Sequence, residues 1–516
     1  MLDNFRKSVA WLHTWTGLVV GWILFAIFLT GTLSVFDSEI TYWMQPEAHG
    51  TVYDTDVDIL AAAERQLRRH HATAERWEIS LPSPRIPTAV VSWRDDGQDI
   101  DAFLSADGQS LHSLRATLGG KHFEDFHRRL HAGDLGIWIV SALTVVLLAI
   151  LITGVIIHKR IFKDFFTFRP RASAQRSWMD AHNVMAVLAL PFHFMIAYSG
   201  LTLEHDMVMP AGVQLYYDGN ASAFKDDLRN RPDRHRHGEP ATLVSVRDIA
   251  ARAQTGWDAG ALSRVRVWYP NDKGAQIEVY NRRPERLAVR PDRVTYAGAT
   301  GQELAAFSVA GVGYKIEQGL AALHFADFGG IWMRWLYFVC GMMGAAMVAT
   351  GLVLFTVKRA KKHGSHSTAA SRFYDMAERI NVAAVAGVVV ASIAYFWANR
   401  LLPVELPDRA GWEIGSFFLI WSLTLIHSLL RDPGRAWSEQ FGFAAIIALS
   451  LPILNGWSTE SHLLKTLSKG DWLVAGVDLT AFACGLILAA MAWHIGKRTK
   501  SKVLTGPVLS GIRAKG

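Results

Sequence analysis

The sequence predicts a mainly α-helical membrane protein with about eight transmembrane helices and two small α+β modules outside the membrane. Half of the 516 residues are hydrophobic, only 19% are charged, and the mean hydropathy is +0.15, whereas soluble proteins carry about 25% charged residues. The chain also contains a series of apolar runs of about 20 residues, the length that crosses a bilayer as a helix. Finally, one helix–module–helix unit occurs twice.

Eight segments are apolar enough to span a membrane. They are Trp11–Phe36, Leu135–Ile157, Ala181–Leu203, Ile331–Val357, Val382–Ala398, Trp412–Leu430, Phe441–Leu454 and Trp472–Ile495. Arg6 and Lys7 precede the first segment, as in a signal peptide. Its apolar run is too long for one and no small-residue cleavage site follows, so we expect a retained span.

Lysine and arginine residues indicate the orientation of these spans. They cluster before span 1, between spans 2 and 3, between spans 4 and 5, after span 6 and after span 8: Arg6, Lys7, Lys159, Arg160, Lys163, Arg169, Arg171, Arg176, Lys358, Arg359, Lys361, Lys362, Arg372, Arg379, Arg431, Arg435, Lys497, Arg498, Lys500 and Lys502. All of these positions lie on one side if both termini are cytoplasmic, as the positive-inside rule requires.

This topology divides the chain into seven parts. They are span 1 (1–36), an outer module (37–134), spans 2 and 3 with a basic loop (135–204), a second outer module (205–330), span 4 (331–357), an appended bundle of spans 5 to 8 (380–496) and a basic tail (497–516). Each outer module begins with a helical pattern and continues with strand-like alternation. The predicted elements are Asp58–His71, Thr88–Trp93 and Asp101–Ser105 in the first module, and Ser245–Ala253, Arg264–Tyr269 and Gln276–Tyr280 in the second.

The repeat unit is a span, an outer module and a second span. In span 1, Thr30-Gly31 follows His13 by 18 residues, and in span 3, Ser199-Gly200 follows His182 by the same distance. Leu130-His131 precedes span 2 as Leu323-His324 precedes span 4, and these spans end with Thr153-Gly154 and Thr350-Gly351. Spans 5 to 8 lack the pattern.

Histidine is the abundant potential ligand, with 20 copies against two cysteines. Two cysteines exclude a disulfide scaffold, a zinc finger and a cysteine-ligated iron–sulfur cluster, and the absence of Cys-x-x-Cys-His excludes a covalent c-type haem. A ligating side chain within a membrane span indicates function. Paired histidines at two depths of a four-helix bundle are suited to hold two b-type haems.

We therefore predict an inner haem on His13 and His182 and an outer haem on His131 and His324. Two alternatives stay open. His193 lies eleven residues, about three turns, beyond His182 on nearly the same helix face, so it is an alternative inner ligand or a relay. His127 lies one turn before His131, so either residue can be the outer ligand.

Neighbouring residues are expected to support these ligands. Glycines let helices approach closely; the candidates are Gly17, Gly21, Gly31, Gly133, Gly136, Gly200 and Gly351. Asp134 and Asp327, each three residues after a candidate ligand, are placed to orient the imidazoles. Asp37 and Asp206, each six residues after the repeated glycine, are candidates for binding a cationic or metal-bearing substrate, with a solvated helix end as the favoured interpretation.

No nucleotide-binding motif is present. No Gly-x-Gly-x-x-Gly follows a strand and opens a helix, and no Walker-type Gly-Lys-Ser/Thr occurs. We therefore expect the electrons to come from a quinol in the bilayer or from a separate cytoplasmic reductase, and we predict no nucleic-acid partner.

Several motifs resemble the PepSY-associated transmembrane family, which includes iron-regulated inner-membrane proteins and ferric-siderophore reductases of Gram-negative bacteria. The resemblance covers about residues 1–360. It is carried by Leu12-His13-Thr14-Trp15-Thr16-Gly17-Leu18, Phe126-His127-Arg128-Arg129-Leu130-His131, Thr153-Gly154-Val155-Ile156-Ile157-His158-Lys159-Arg160 and Trp178-Met179-Asp180-Ala181-His182.

The resemblance implies a bacterial inner-membrane location, PepSY-like periplasmic modules and two haem b groups in a duplicated four-helix core. It also implies electron passage from the cytoplasmic side to a periplasmic ferric siderophore, that is, a haem-dependent ferric-chelate reductase. The rival hypothesis is a non-redox transporter or a PepSY-type regulator of a periplasmic partner, although a parallel repeat of continuous spans argues against transport. In a third hypothesis the chain only delivers electrons to a separate enzyme.

Overall fold

A computed structural model describes residues 2–54, 56–158, 169–170, 172–257, 260–282, 286–363 and 369–504. Helices account for 65% of the chain, which confirms a mainly helical protein. Seven described helices are long and apolar enough to cross a membrane, and a bent helix pair makes an eighth. This number agrees with the prediction. Lys159, Arg160, Lys163 and Arg171 of the basic loop and residues 505–516 of the tail lie outside the described residues.

The spans of the repeated half are α1, α5, α6 with α7, and α13. Their bounds are α1 Leu2–Ser34, α5 Gly133–Ile157, α6 Ala174–Leu188, α7 Leu190–Leu203 and α13 Gly330–His363. The third span is not continuous, because α6 and α7 meet at an angle of 62°. Pro191, in the first turn of α7, cannot donate a backbone hydrogen bond to a preceding turn, so it favours a break there. The expectation of continuous spans is wrong at this position.

The appended bundle contains the remaining spans. Span 5 consists of α14 Ala369–Val382 and α15 Val388–Leu401, span 6 of α16 Arg409–Leu430, and span 7 of α17 Pro433–Leu449 and α18 Leu451–Ser458. The short helix α19 Leu463–Ser468 then leads to span 8, which is part of α20 Trp472–Leu504. A π-helical turn, Ala383–Gly387, joins α14 to α15. The bundle packs against α1 and α13 through α14 and this turn.

The two outer modules share one eight-stranded antiparallel sheet, so they form a single layer. The strands are β1 Arg76–Ser80, β2 Val90–Asp95, β3 Gln98–Leu104, β4 Leu111–Ser113, β5 Ala261–Trp268, β6 Gln276–Arg282, β7 Asp292–Ala297 and β8 Glu303–Phe307. Their order is β4-β3-β2-β1-β5-β6-β7-β8. The modules join where β1 pairs with β5, from Arg76 opposite Trp268 to Ser80 opposite Arg264.

Shorter helices connect the sheet with the spans. They are α2 Asp37–Met44, α3 Ile59–His70, α4 Lys121–Arg129, α8 His205–Val208, α9 Ala211–Tyr217, α10 Ala221–Leu228, α11 Val246–Thr255 and α12 Val312–Phe325. The equivalent helices α3 and α11 both begin at a side-chain N-cap, Asp58 for α3 and Ser245 for α11. Both pack on the sheet around the buried Trp77 and Ile277. We call the membrane end that faces this sheet the sheet side and the opposite end the far side.

Candidate functional site

Two histidines from different halves of the repeat face each other near the far side. The ring centroids of His13 on α1 and His182 on α6 lie 6.5 Å apart, and the ring planes are inclined by 79°. The Nδ1 atom of His13 is hydrogen-bonded to the Thr153 hydroxyl (3.0 Å). The Nδ1 of His182 donates to the carbonyl oxygen of Met347 (2.9 Å). In both rings the Nε2 atom makes no hydrogen bond with the described residues, which leaves it available to a ligand.

A second pair lies toward the sheet side and is built in the same way. The ring centroids of His127 on α4 and His324 on α12 lie 6.1 Å apart. The Nδ1 of His127 donates to the carbonyl oxygen of Ile27 (2.8 Å), and the Nδ1 of His324 is bonded to the Ser199 hydroxyl (3.1 Å). Each pair therefore takes one histidine from each half of the repeat.

Each of the four rings packs against a glycine of its own half. A Cβ atom on Gly154 would lie 3.4 Å from the His13 ring, on Gly351 3.2 Å from His182, and on Gly200 2.8 Å from His324, while on Gly31 it would overlap His127. A threonine or serine precedes each glycine in sequence. The four imidazole rings therefore pack against the Thr-Gly and Ser-Gly pairs of the repeat. Of the other predicted glycines, Gly17 and Gly133 have nothing within 4 Å of such a Cβ.

The structure does not bring His131 next to His324; His127 takes that place. His131 contacts Asp125 through Nδ1 (2.8 Å) and His122 through Nε2 (3.0 Å). Helix α4 ends at Arg129, and His131 lies beyond it with a φ of 52°, whereas α12 continues through His324. The Leu-His motifs therefore match in sequence but not in structure.

The number of residues between a histidine and the start of the following span identifies the equivalent residues. His127 lies six residues before Gly133, the first residue of α5, and His324 lies six residues before Gly330, the first residue of α13. Distance to the following span, rather than likeness of the flanking residues, is the signal that identifies this pair.

His193 faces neither histidine pair directly. It is fully buried on α7, its ring centroid lies 5.8 Å from that of Phe28, and its Nε2 lies 3.4 Å from the carbonyl oxygen of Cys340. Phe28 is three residues before Gly31, so His193 lies between the two pairs and nearer to the sheet-side pair. Its Nδ1 has no hydrogen-bond partner among the described residues.

The carboxylates have other partners than those expected. His131 contacts Asp125 rather than the expected Asp134. Asp327 forms an ion pair with Arg282 and not a contact with His324. Backbone carbonyls and hydroxyls orient the paired imidazoles in their place. Such contacts are the usual way to fix the tautomer of a metal-binding histidine.

The two aspartates considered as a cation site are neutralised by ion pairs. Asp37 lies 2.8 Å from Arg85, and Asp206 lies 2.5 Å from Lys225. Neither carboxylate is a simple solvated helix end, and neither carries a free charge for a cationic substrate.

Burial keeps the imidazoles of the sheet-side pair, His127 and His324, neutral. It lowers the pKa of His324 to about 3, with a further contribution from the neighbouring His127, and it lowers the pKa of His127 as well. Both residues lie outside the membrane-spanning helices. Neutral imidazole is the form that binds metals, so the pair is ready to do so at physiological pH.

The appended bundle holds the segment that leads into α4. Arg409 donates to the carbonyl oxygen of Ala116 (3.1 Å), Thr117 donates to Glu413 (2.5 Å), and the Tyr395 hydroxyl donates to the carbonyl oxygen of Gly119 (3.1 Å). Arg409 and Glu413 form an ion pair that is completely buried. Spans 5 and 6 thereby fix the start of the helix that carries His127.

Replacing Glu413 by glutamine is expected to lower the unfolding midpoint strongly. The substitution leaves the Arg409 guanidinium buried without its counter-charge, which costs about 3–5 kcal/mol. The matched control is Asp375→Asn, because Asp375 forms an exposed pair with Arg379 at the same helical spacing, and such pairs contribute about 1 kcal/mol or less. Thermal unfolding of the detergent-solubilised variants measures both effects, and equal midpoints would contradict the expectation.

His122 is expected to make the protein sensitive to acid. It is fully buried, stacked on Tyr395 with the ring centroids 4.1 Å apart. Burial, and then the charge of His131, lower its pKa to about 3 from 6.5. A pKa that is lower in the folded state means that the unfolded chain binds more protons. The contribution of neutral His122 to the free energy of unfolding is therefore complete above pH 6.5 and is lost as the pH falls toward 3. Between pH 7 and pH 5, the unfolding midpoint should fall less in His122→Phe than in the native protein; parallel curves would refute the role.

Comparison with known proteins identifies a family and a relative. Residues 10–358 match the family model of the PepSY-associated TM region. An uncharacterized protein of Pseudomonas aeruginosa is 25% identical over 384 residues, which cover 72% of this chain and 93% of that protein. The family match includes all four paired histidines and ends before the appended bundle.

Proposed function

The chain belongs to the PepSY-associated TM family, and from this premise we propose that it is a di-haem b membrane oxidoreductase that reduces ferric siderophores. In this proposal the sheet faces the periplasm of a bacterial inner membrane and both termini face the cytoplasm. Electrons enter from a quinol or from a cytoplasmic reductase and leave to Fe(III) in a periplasmic chelate.

The observation that carries the proposal is the geometry of the two histidine pairs. Two imidazoles that bind one metal ion from opposite sides, through bonds of about 2 Å, have ring centroids roughly 6 Å apart. The centroid separations of 6.5 and 6.1 Å fit this arrangement. Among the described residues no group of three or more His, Cys, Asp or Glu could hold a bare metal ion. A pair of imidazoles would be enough to hold a haem, because the macrocycle itself supplies the remaining ligands of the iron.

The two pairs lie at different depths of the same core. His13 and Gly31, which supports His127, are 18 residues apart on α1, or about 27 Å of helix. His13 and His182 would hold the inner haem, and His127 and His324 would hold the outer one. When bound at such sites, haem iron carries one electron at a time by alternating between Fe(III) and Fe(II).

The chain contributes ligand orientation and a low-dielectric surrounding. The carbonyl oxygens of Met347 and Ile27 accept hydrogen bonds from the Nδ1–H groups, so they direct the Nε2 atoms toward the metal and raise the basicity of the ligands. Closely packed spans exclude water and thereby influence the reduction potential.

The net reaction is the transfer of one electron to each chelated Fe(III), and the donor is oxidised by one electron for each iron. Fe(III) is the harder ion, and hard oxygen donors bind it more strongly than they bind Fe(II). Reduction therefore loosens the chelate and releases iron as Fe(II).

An absorption spectrum of the purified protein tests the proposal most directly. We expect a Soret band, a reducible b-type α band and two haems per chain. Proteoliposomes that hold a reductant inside should then reduce an external ferric chelate, which an Fe(II)-specific trap detects. A colourless protein that retains its biological activity would refute the proposal.

One observation favours the rival function of a non-redox transporter. Broken helices line the substrate sites of many transporters, and the third span is broken at Ala189, between α6 and α7. Uptake of a chelate by proteoliposomes without any reductant would support this function.

A further inference from the structure

Four arginines lie together on the sheet side, next to α12. Arg229 and Arg231 follow α10, whereas Arg290 precedes β7 and Arg293 belongs to it. Arg293 joins the two segments, because its guanidinium donates to the carbonyl oxygens of Arg229 (2.8 Å) and Asn230 (3.0 Å). We call these four residues the arginine cluster.

The arginine cluster adjoins the outer histidine pair. The backbone N–H of Arg290 donates to the side-chain oxygen of Gln318 on α12 (3.0 Å). Gln318 is six residues before His324 on the same helix, a distance of about 9 Å. A cleft beside Arg290 is lined by Asn281, Arg282, Arg286, Asp292 and Asp327. Asp327 follows His324 by three residues, so the cleft lies within about 11 Å of it along the chain.

The cluster has more positive than negative charge. Arg231 is paired with Asp226 (3.3 Å) and Arg293 with the buried Glu278 (4.0 Å), but Arg229 and Arg290 form no ion pair within the part of the chain that the structure describes. The pKa of Arg290 is lowered by burial and by the nearby Arg229 and Arg231, whereas the nearby Tyr314 and Glu317 act in the opposite direction. The arginine cluster thus has free capacity for an anion.

We propose that the arginine cluster docks the substrate as an anion, namely a ferric chelate with free carboxylate groups. Guanidinium groups bind carboxylates through two parallel hydrogen bonds, and a positive surface speeds the encounter with anionic ligands, less so at high salt. The inference rests on the proposed function for the identity of the metal. The preference for an anion depends on the arginines alone.

Binding of gallium(III) citrate to the full-length protein in detergent tests the inference. Gallium(III) has the charge of Fe(III) but is not reduced, so binding is measured separately from electron transfer. In the double variant Arg229→Gln, Arg290→Gln the Kd should rise about tenfold or more, since each arginine supplies charge-assisted hydrogen bonds. The matched control is Arg94→Gln on β2, four strands away from β7, roughly 19 Å, and it should bind like the native protein.

Two comparisons on the native protein need no substitution. Binding of gallium(III) citrate should weaken steeply with salt, and an uncharged gallium(III) trihydroxamate should show no such dependence. Equal salt dependence of both chelates, or an unchanged Kd in the double variant, would overturn the docking site.

If the protein is free of haem but binds gallium(III) citrate through these arginines, the docking site stands and the redox function fails. If the protein is loaded with haem but binds the chelate independently of these arginines, the redox function stands and the docking site fails.

Discussion

Under the proposed di-haem function, replacing His127 by alanine is expected to remove one of the two proposed haems, whereas replacing His131 should leave both in place. His127 is the residue that faces His324, with the ring centroids 6.1 Å apart, and its Nδ1 is already fixed by the carbonyl oxygen of Ile27. His131 instead contacts Asp125 and His122. The amount of haem per chain, measured by extraction and spectroscopy, should therefore fall to about half in His127→Ala, because one imidazole binds a haem less firmly than two.

The controls for this prediction come from the same molecule. His324→Ala should lose the same spectral component as His127→Ala, and the double variant should lose no more. His13→Ala and His182→Ala should lose the other component. If His131→Ala loses haem while His127→Ala retains it, the assignment of the outer pair is wrong.

The second large effect is expected from adding one methyl group at the glycines that support the outer pair. A Cβ on Gly200 would lie 2.8 Å from the His324 ring, and on Gly31 it would overlap the His127 ring. Overpacking of this kind costs about 1–3 kcal/mol. In Gly31→Ala and Gly200→Ala the imidazole rings must move, so under the proposed function we expect loss of the haem held by His127 and His324, or a change in its reduction potential.

Gly17→Ala is the matched control, because Gly17 lies in the same helix as Gly31 and has nothing within 4 Å of the added methyl group. An alanine in an unobstructed helix is favoured over glycine by about 1 kcal/mol, so this variant should be as stable as the native protein or more so. The inner glycines should show smaller effects, since their clearances are 3.2 Å at Gly351 and 3.4 Å at Gly154. Identical potentiometric titrations of Gly17→Ala and Gly31→Ala would contradict the proposal that Gly31 positions the His127 ring.

Most of the candidate site can be predicted because its signals are local. His13 and His182 lie opposite each other, as the sequence predicts, since a span of fixed length and a repeated 18-residue spacing determine depth in the membrane. For the outer pair the sequence favours His131 and leaves His127 as an alternative. The structure differs from the favoured pairing because α4 ends at Arg129, before His131, so it is His127 that faces His324.

Other features depend on contacts that no local pattern encodes. Backbone carbonyls of neighbouring helices take the place of the expected aspartate partners, and which carbonyl lies beside an imidazole depends on how the helices pack. Helix α4 is fixed by Arg409 and Glu413, which follow it by nearly 300 residues. The sequence pattern describes the appended bundle as separate and does not reveal this contact.

The sequence alone determined the membrane spans, the duplication and the set of histidines from which the pairs are drawn, because hydrophobic length and internal repetition are properties of consecutive residues. Only the tertiary structure decided which imidazoles face each other, which glycines support them and how the two modules combine into one sheet. Each of these depends on surfaces from distant parts of the chain. For example, β1 is the edge strand of the first module and β5 is the edge strand of the second. Their unpaired backbone groups need hydrogen-bond partners, and each strand pairs with the other.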